Sequence, residues 1–324
     1  MPCRATDDLP VRWFHALLAV PVVGAAAYGL VASGALARGY GAEEEAAIAA
    51  RWEVLVVPAA TSEEPTLVEQ GLASLLDRWG PIWKQDRDVL LMQGMWDAEN
   101  EEEPVRWGAR AELDPEHREV VDDFLVWLET VSGDRVRVPV GDGVAWRSLA
   151  VTAMATSRDD PRTVLAIGAL ATRVRRSSQL LAGSLSYAVT REALARGRDQ
   201  GVDEQELQAL RPELDEFRCL LAHEALQLDA ALAEETGYGS FIRLVYRDAW
   251  CRSIELLTGP DADLEALAER DVPEDPGPVR MWLTEKLQDP NVASRIADGF
   301  LVLPVAAVAR AHLWTVADFD AVPD

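Results

Sequence analysis

"DDPRTVLAIGALATRVRRSSQLLAGSLSYAVTREALARG", residues 159–197, is the stretch on which the fold turns. An acid followed by proline, Asp160-Pro161, is a helix start: the carboxylate caps free N–H groups and proline fits the first helical position. From Thr163 to Gly197 the chain is rich in Ala, Leu and Arg, all good helix formers, enough for about ten turns. Ser177-Ser178 interrupts it. Serine competes for backbone hydrogen bonds and favours caps and turns. The stretch therefore reads as two antiparallel helices folded back at that pair.

The flanks repeat this grammar. Upstream, Asp114-Pro115-Glu116 opens a helix, with Val121, Phe124, Leu125 and Leu128 at helical spacing and Ser132-Gly133-Asp134 as its stop. "RVRVPV" (135–140) alternates but contains Pro139, which makes it an extended connector. "VAWRSLAVTAMATS" (144–157) reads as a helix. Downstream, Asp203 caps a segment with Leu207, Leu210, Leu214, Phe217, Leu221 and Leu228 on one face, interrupted at Pro212. Residues 241–259 form another helix, and 271–278 a turn-rich linker. A last helix runs from about Val292 to Asp318. Its apolar centre, Gly299–Ala309, is too short to span a bilayer. Before the hairpin, "AEEEAAIAARWEVLVV" (42–57) reads as helix or helix-to-strand. "TLVEQGLASLLDRW" (66–79) is amphipathic, and "DAENEEEP" (97–104) is a solvated acidic loop. The expected class is all-α: an N-terminal transmembrane helix, then an array of antiparallel helical hairpins, TPR-like and solenoid-like or an irregular bundle. No clean repeat of about 34 residues accompanies it.

The anchor rests on Trp13–Ala37, which contains no charged residue. A bilayer needs about 20 helical residues, whereas the apolar part of a cleaved signal is about 7–15. Length favours a retained anchor over cleavage after Ala35-Leu36-Ala37. Arg4 and Arg12 against Arg38 favour a cytoplasmic N-terminus and an extracytoplasmic body. Ala25, Gly29, Ser33 and Ala37 recur every fourth residue, a stripe on which two membrane helices can approach closely. His15, near the start, reads as an interfacial side chain. The expected division is a tail at 1–12, the span at 13–37, a linker or juxtamembrane helix at 38–65, and an acidic helical domain at 66–324.

The net charge of −24 lies wholly beyond residue 40, because residues 1–40 carry three arginines against two aspartates. Such a body repels phosphate backbones and anionic lipid headgroups, so neither a nucleic-acid partner nor a basic membrane-surface patch is expected. Of the three cysteines, Cys219 and Cys251 sit in helix-like, partly apolar surroundings and read as buried thiols that an oxidising compartment could pair. Arg173, Arg175 and Arg176 form a basic cluster that reads as internal pairing. Seven of the 11 tryptophans lie between Trp52 and Trp146. Trp79, Trp83, Trp96 and Trp107 read either as core or as a contact region near the anchor.

Catalytic signatures are sparse. No P-loop, G-x-S-x-G, G-x-G-x-x-G or C-x-x-C occurs. His223-Glu224 resembles the start of a zinc-binding H-E-x-x-H, but Gln227 stands where the second imidazole belongs. His223 and Glu224 are the only metal candidates, weighed against a plain helix with both near its polar side. No enzyme activity and no cofactor are expected. The reading is a single-pass anchored accessory or scaffold protein that assembles with itself or another membrane protein. The alternatives are a tethered metal-dependent hydrolase using His223 and Glu224, or a binding module for a cationic peptide.

Residues 115–235, including "HREVVDDFLVWLETVSGDRVRVPV" and "LDEFRCLLAHEALQLDAAL", resemble a group of uncharacterised bacterial proteins in which an N-terminal membrane helix precedes an all-helical body. The resemblance implies a helical-repeat-like fold and an anchor. It implies no activity and carries over no catalytic residue.

Overall fold

The computed structural model describes residues 28–32, 37–59, 65–85, 113, 115–133, 135–157, 160–233, 238–258, 264–269 and 277–321. Every regular element among them is helical. In chain order these are α1 (Ala42–Leu55), a 3-10 turn (Val57–Ala59), α2 (Leu67–Gln85), α3 (Pro115–Thr130), α4 (Gly143–Thr156), α5 (Pro161–Arg175), α6 (Leu180–Asp199), α7 (Glu204–Gln208), α8 (Leu214–Leu232), α9 (Tyr238–Glu255), α10 (Leu264–Ala268), α11 (Gly277–Leu287) and α12 (Pro290–Asp320). The opening stretch is the hairpin α5–α6. Asp160 caps α5 by accepting from the Arg162 N–H. The break falls at residues 176–179, around Ser177-Ser178.

The helices enclose two hydrophobic clusters. The first lobe gathers Leu72, Leu76 and Trp79 of α2, Phe124 of α3, Trp146 and Leu149 of α4, and Ile167 and Leu170 of α5. The second gathers Trp52 of α1, Phe217 and Leu220 of α8, Phe241 and Trp250 of α9, and Leu301 and Val305 of α12. Helix α6 serves both: Ala182, Val189 and Leu194 face the first, Leu180 and Tyr187 the second. Close approach across α6 depends on Gly183. A methyl there would lie 2.2 Å from a Leu220 methyl carbon that is itself fully buried.

Local signals explain most of the first lobe. Thr66 and Glu69 form a reciprocal capping box at the start of α2. The second oxygen of Glu69 accepts the Arg137 N–H at 3.0 Å, so the cap also pins the connector 135–140. Burial alone would raise the Glu69 carboxyl, but these N–H donors hold it below the usual range. The connector is extended as expected, with Val136 and Val138 buried.

The structure adds to this reading in several places. Helix α2 continues through Pro81 to Gln85 rather than stopping at Trp79. Helix α11 had no clear signal. Within the 38–65 stretch, expected as linker or juxtamembrane helix, Trp52 and Val56 are buried in the second lobe, and Ile48 is buried as well. The expected membrane span, 13–37, lies largely outside the described residues. Among those described, no helix is long and apolar enough to cross a membrane, and Ala37, its expected last residue, is not helical.

Candidate functional site

A buried polar seam occupies the joint between the lobes. Arg175, at the end of α5, is fully buried. Its Nε donates to Glu216 of α8 at 2.7 Å, its Nη1 to the Thr190 hydroxyl of α6 at 2.6 Å, and its Nη2 to Thr172 at 2.9 Å. Its guanidinium carbon lies 5.0 Å from the centroid of the Tyr187 ring, in cation–π range. Burial pushes the Glu216 carboxyl up, against the pull of Arg175. On the second-lobe side, the Tyr187 hydroxyl meets His312 Nδ1 at 3.1 Å. Burial, with Arg175 and Arg211 adding to it, lowers His312 from 6.5 to about 4. On the first-lobe side, the Trp146 indole N–H donates to Ser186 at 3.0 Å.

The same seam claims the metal candidates. His223 Nε2 meets the Arg176 carbonyl at 3.1 Å, and Glu224 accepts the Leu180 N–H at 3.0 Å. Two consecutive residues of α8 thus fasten the two sides of the α5–α6 turn. His223 is buried rather than on the polar side of its helix, and burial lowers its pKa. No group of three His, Cys, Asp or Glu among the described residues is placed to hold a metal. A hydrolytic site at this pair would require both side chains to leave the turn.

The other sequence candidates scatter. Trp79 is fully buried beside His117, with ring centroids 6.0 Å apart, so it fills core and offers no face to a partner. Trp83 lies in α2, and its side chain is outside the described residues, as are Trp96 and Trp107. Ala25 and Ser33 are also outside them. Gly29 sits in the helical segment 28–32 with open space where a Cβ would be. Ala37 is exposed. Cys219 and Cys251 are both free thiols, and burial pushes Cys251 up to about 11. Of the arginine cluster, Arg175 and Arg176 pair internally with Glu216 and Glu213.

Sequence reasoning missed a second feature, a strap formed by residues 37–41. The Arg38 and Gly39 N–H groups donate to the Leu287 and Gln288 carbonyls at 2.9 and 3.0 Å. These carbonyls end α11, where a helix leaves acceptors without intrahelical donors. Gln288 adopts a left-handed conformation (φ 45°), a common way to terminate a helix. Asp289 then caps α12 and pairs with Arg38 at 3.4 Å. Tyr40 packs against Phe241, and Tyr28 stacks on Trp282 of α11 with centroids 5.3 Å apart. In the sequence Arg38 counts only toward orientation, and Gly39 and Tyr40 carry no signal. Their partners lie some 200 or more positions away, so no local signal could reveal them.

A cleft of about 340 Å³, lined by Arg252, Ser253, Glu255, Leu256 and Asp298, opens between α9 and α12. Arg51 pairs with Glu255 and Asp248, and Arg252 with Asp248 and Asp298. Three carboxylates against two guanidiniums leave its surroundings negative.

Fold and seam together define an all-helical, two-lobed protein joined through a buried arginine–glutamate centre. Compared with known proteins the chain finds no match: no family model, no curated protein and no solved structure is similar to it.

Proposed function

We propose that the chain is a single-pass, membrane-anchored scaffold or accessory subunit. The 13–37 segment holds it in the bilayer with the N-terminus cytoplasmic. The helical body, on the other side, docks a second copy or another membrane protein. The observation that supports this reading is the strap. Two backbone hydrogen bonds, the Arg38–Asp289 pair and the Tyr40–Phe241 contact join the chain leaving the apolar segment directly to the body. A body held this way keeps a set orientation toward whatever the segment inserts into, which is what a scaffold at a membrane complex requires. Association through the segment would use Ala25, Gly29 and Ser33 of the expected stripe; Ala37, which is not helical, falls outside it.

Cross-linking in native membranes tests it. The full chain should remain in the membrane pellet after alkaline carbonate extraction and give a discrete cross-linked species. Gly29→Ile together with Ser33→Ile should weaken that species several-fold. Release of the chain by carbonate would refute the anchor; an unchanged cross-link would refute the stripe.

A further inference from the structure

The cleft between α9 and α12 carries a charge that its own ion pairs do not cancel. Its lining is Arg252, Ser253, Glu255 and Leu256 from the end of α9, and Asp298 from α12. Arg51 donates through Nε and Nη2 to the two oxygens of Glu255, and through Nη1 to Oδ1 of Asp248, each at 2.8 Å. Arg252 takes Oδ2 of Asp248. Its Nη2 donates to Oδ1 of Asp298 at 2.9 Å and to the Ser294 hydroxyl at 2.6 Å. Both oxygens of Asp248 and of Glu255 are thus engaged by guanidinium. Oδ2 of Asp298 accepts from nothing among the described residues. The one unmatched charge of the five groups therefore falls on Asp298, whose side chain is 40 % exposed. Arg295 of α12 is exposed and does not line the cleft.

A second observation comes from the strap. Tyr40 is close enough to Arg252 and Asp298 for both charges to act on its hydroxyl, in opposite directions. That hydroxyl is buried and has no hydrogen-bond partner among the described residues. A buried polar group in this state needs a partner that the folded chain does not supply. Leu256, 47 % exposed, gives the cleft one apolar wall. An unmatched carboxylate oxygen, a buried hydroxyl without a partner and an apolar wall around about 340 Å³ describe a place for a cation on a hydrocarbon stem.

We propose that this cleft binds a primary alkylammonium group. The ammonium donates to Oδ2 of Asp298, with the Tyr40 hydroxyl as a second acceptor, and the methylene stem lies on Leu256. The choice of ammonium over guanidinium follows from the oxygens. A guanidinium binds best to a carboxylate with two open oxygens, and each carboxylate here has one or both engaged. A compact ammonium, with three donors in different directions, needs only one. The lysine side chain of a docked protein and a small aliphatic diamine share this chemistry. The site stands whether or not residues 13–37 hold the chain in a bilayer; with the anchored reading, the ammonium is a lysine of the protein that the body docks.

Ligand-observed NMR titration of the full chain in detergent, at low salt, tests it with two probes: cadaverine, and a capped Gly-Lys-Gly peptide with its arginine counterpart for comparison. At least one ammonium probe should bind saturably, and the arginine peptide several-fold more weakly. Asp298→Asn should weaken binding roughly tenfold. Leu256→Trp, which fills the cleft without changing its charge, should do the same, so the test does not hang on one variant; circular dichroism checks that each keeps its helicity. Glu129→Gln, which removes an equal charge from the exposed surface of α3, should leave binding unchanged. Binding of the peptide alone assigns the site to a partner's lysine, and of cadaverine alone to a small amine; either supports the ammonium site. No saturable binding, equal weakening by Glu129→Gln and Asp298→Asn, full binding to Leu256→Trp, or an arginine peptide bound as tightly as the lysine one would each overturn it. Release of the chain by carbonate would refute the anchor and leave this site standing.

Discussion

The two lobes are built from the chain in different ways. The first is nearly contiguous: α2 to α5 supply its core, with α6 and α7 closing it. The second is assembled from the two ends of the sequence. Helix α1 packs against α9, and Arg51 reaches Asp248 and Glu255 across about two hundred positions. The first lobe is thus an excursion inserted into the second. Its surface pairs are exposed and join neighbouring helices, such as Arg78 with Glu119 and Asp123. The second lobe ties its distant parts with ion pairs such as Arg51 to Asp248 and Glu255, and clusters others locally, with Asp229 held by both Arg243 and Arg247. Burial alone would raise that carboxyl; the two guanidiniums pull it down to about 2. The difference teaches where directional bonds meet a loop-closure cost: the pairs of Arg51 join α1 to α9 across about two hundred positions, a span the first lobe's core does not have to close.

The largest expected effect comes from the joint. Glu216→Gln leaves the Arg175 guanidinium buried without its counter-charge, which should cost about 3–5 kcal/mol. If the lobes fold as one unit, chemical denaturation of the variant gives a single transition at lower denaturant. Two separated transitions would mean that the lobes are independent and that the seam is only a contact.

Acid should act on the joint from the second-lobe side. His312 binds a proton near pH 4 when folded and near 6.5 when unfolded. Between those values the unfolded chain takes up more protons, so stability is full above about 6.5 and falls as pH drops through about 4, by ~3 kcal/mol in all. His223, also lowered by burial, adds in the same direction. His312→Gln should flatten the stability profile over that window; an unchanged profile would place the acid sensitivity elsewhere.

The smallest effect belongs to the surface of the first lobe. Arg78→Ala removes two pairs whose members are 41–73 % exposed and should cost under about 1 kcal/mol in a melting experiment at moderate salt. A larger loss would contradict the view that this lobe is held by its apolar interior.

The same contrast governs what the sequence reveals. The α5–α6 break, the Asp160 and Asp203 caps, the Pro212 interruption and the 135–140 connector all follow from neighbours within a few residues, and all were readable. The strap, the place of α1 and the Arg175–Glu216 pair depend on partners far along the chain. The sequence sets Arg175 in a basic cluster that reads as internal pairing, but periodicity cannot choose its carboxylate. His223 drew notice through a motif fragment. A histidine that donates to a carbonyl and one that binds zinc occupy the same helical register, so only three-dimensional surroundings separate them.

The strap also bears on how the protein can be handled. A natural wish is to delete the hydrophobic leader and express the rest from the first clear helix, near Ala42. That cut would discard the two N–H donors that serve the last carbonyls of α11, the arginine paired with the cap of α12 and the ring resting on Phe241. Trimming before Ala37 keeps all of them. A few residues that look like disposable spacer thus set where a water-soluble version of the protein can begin.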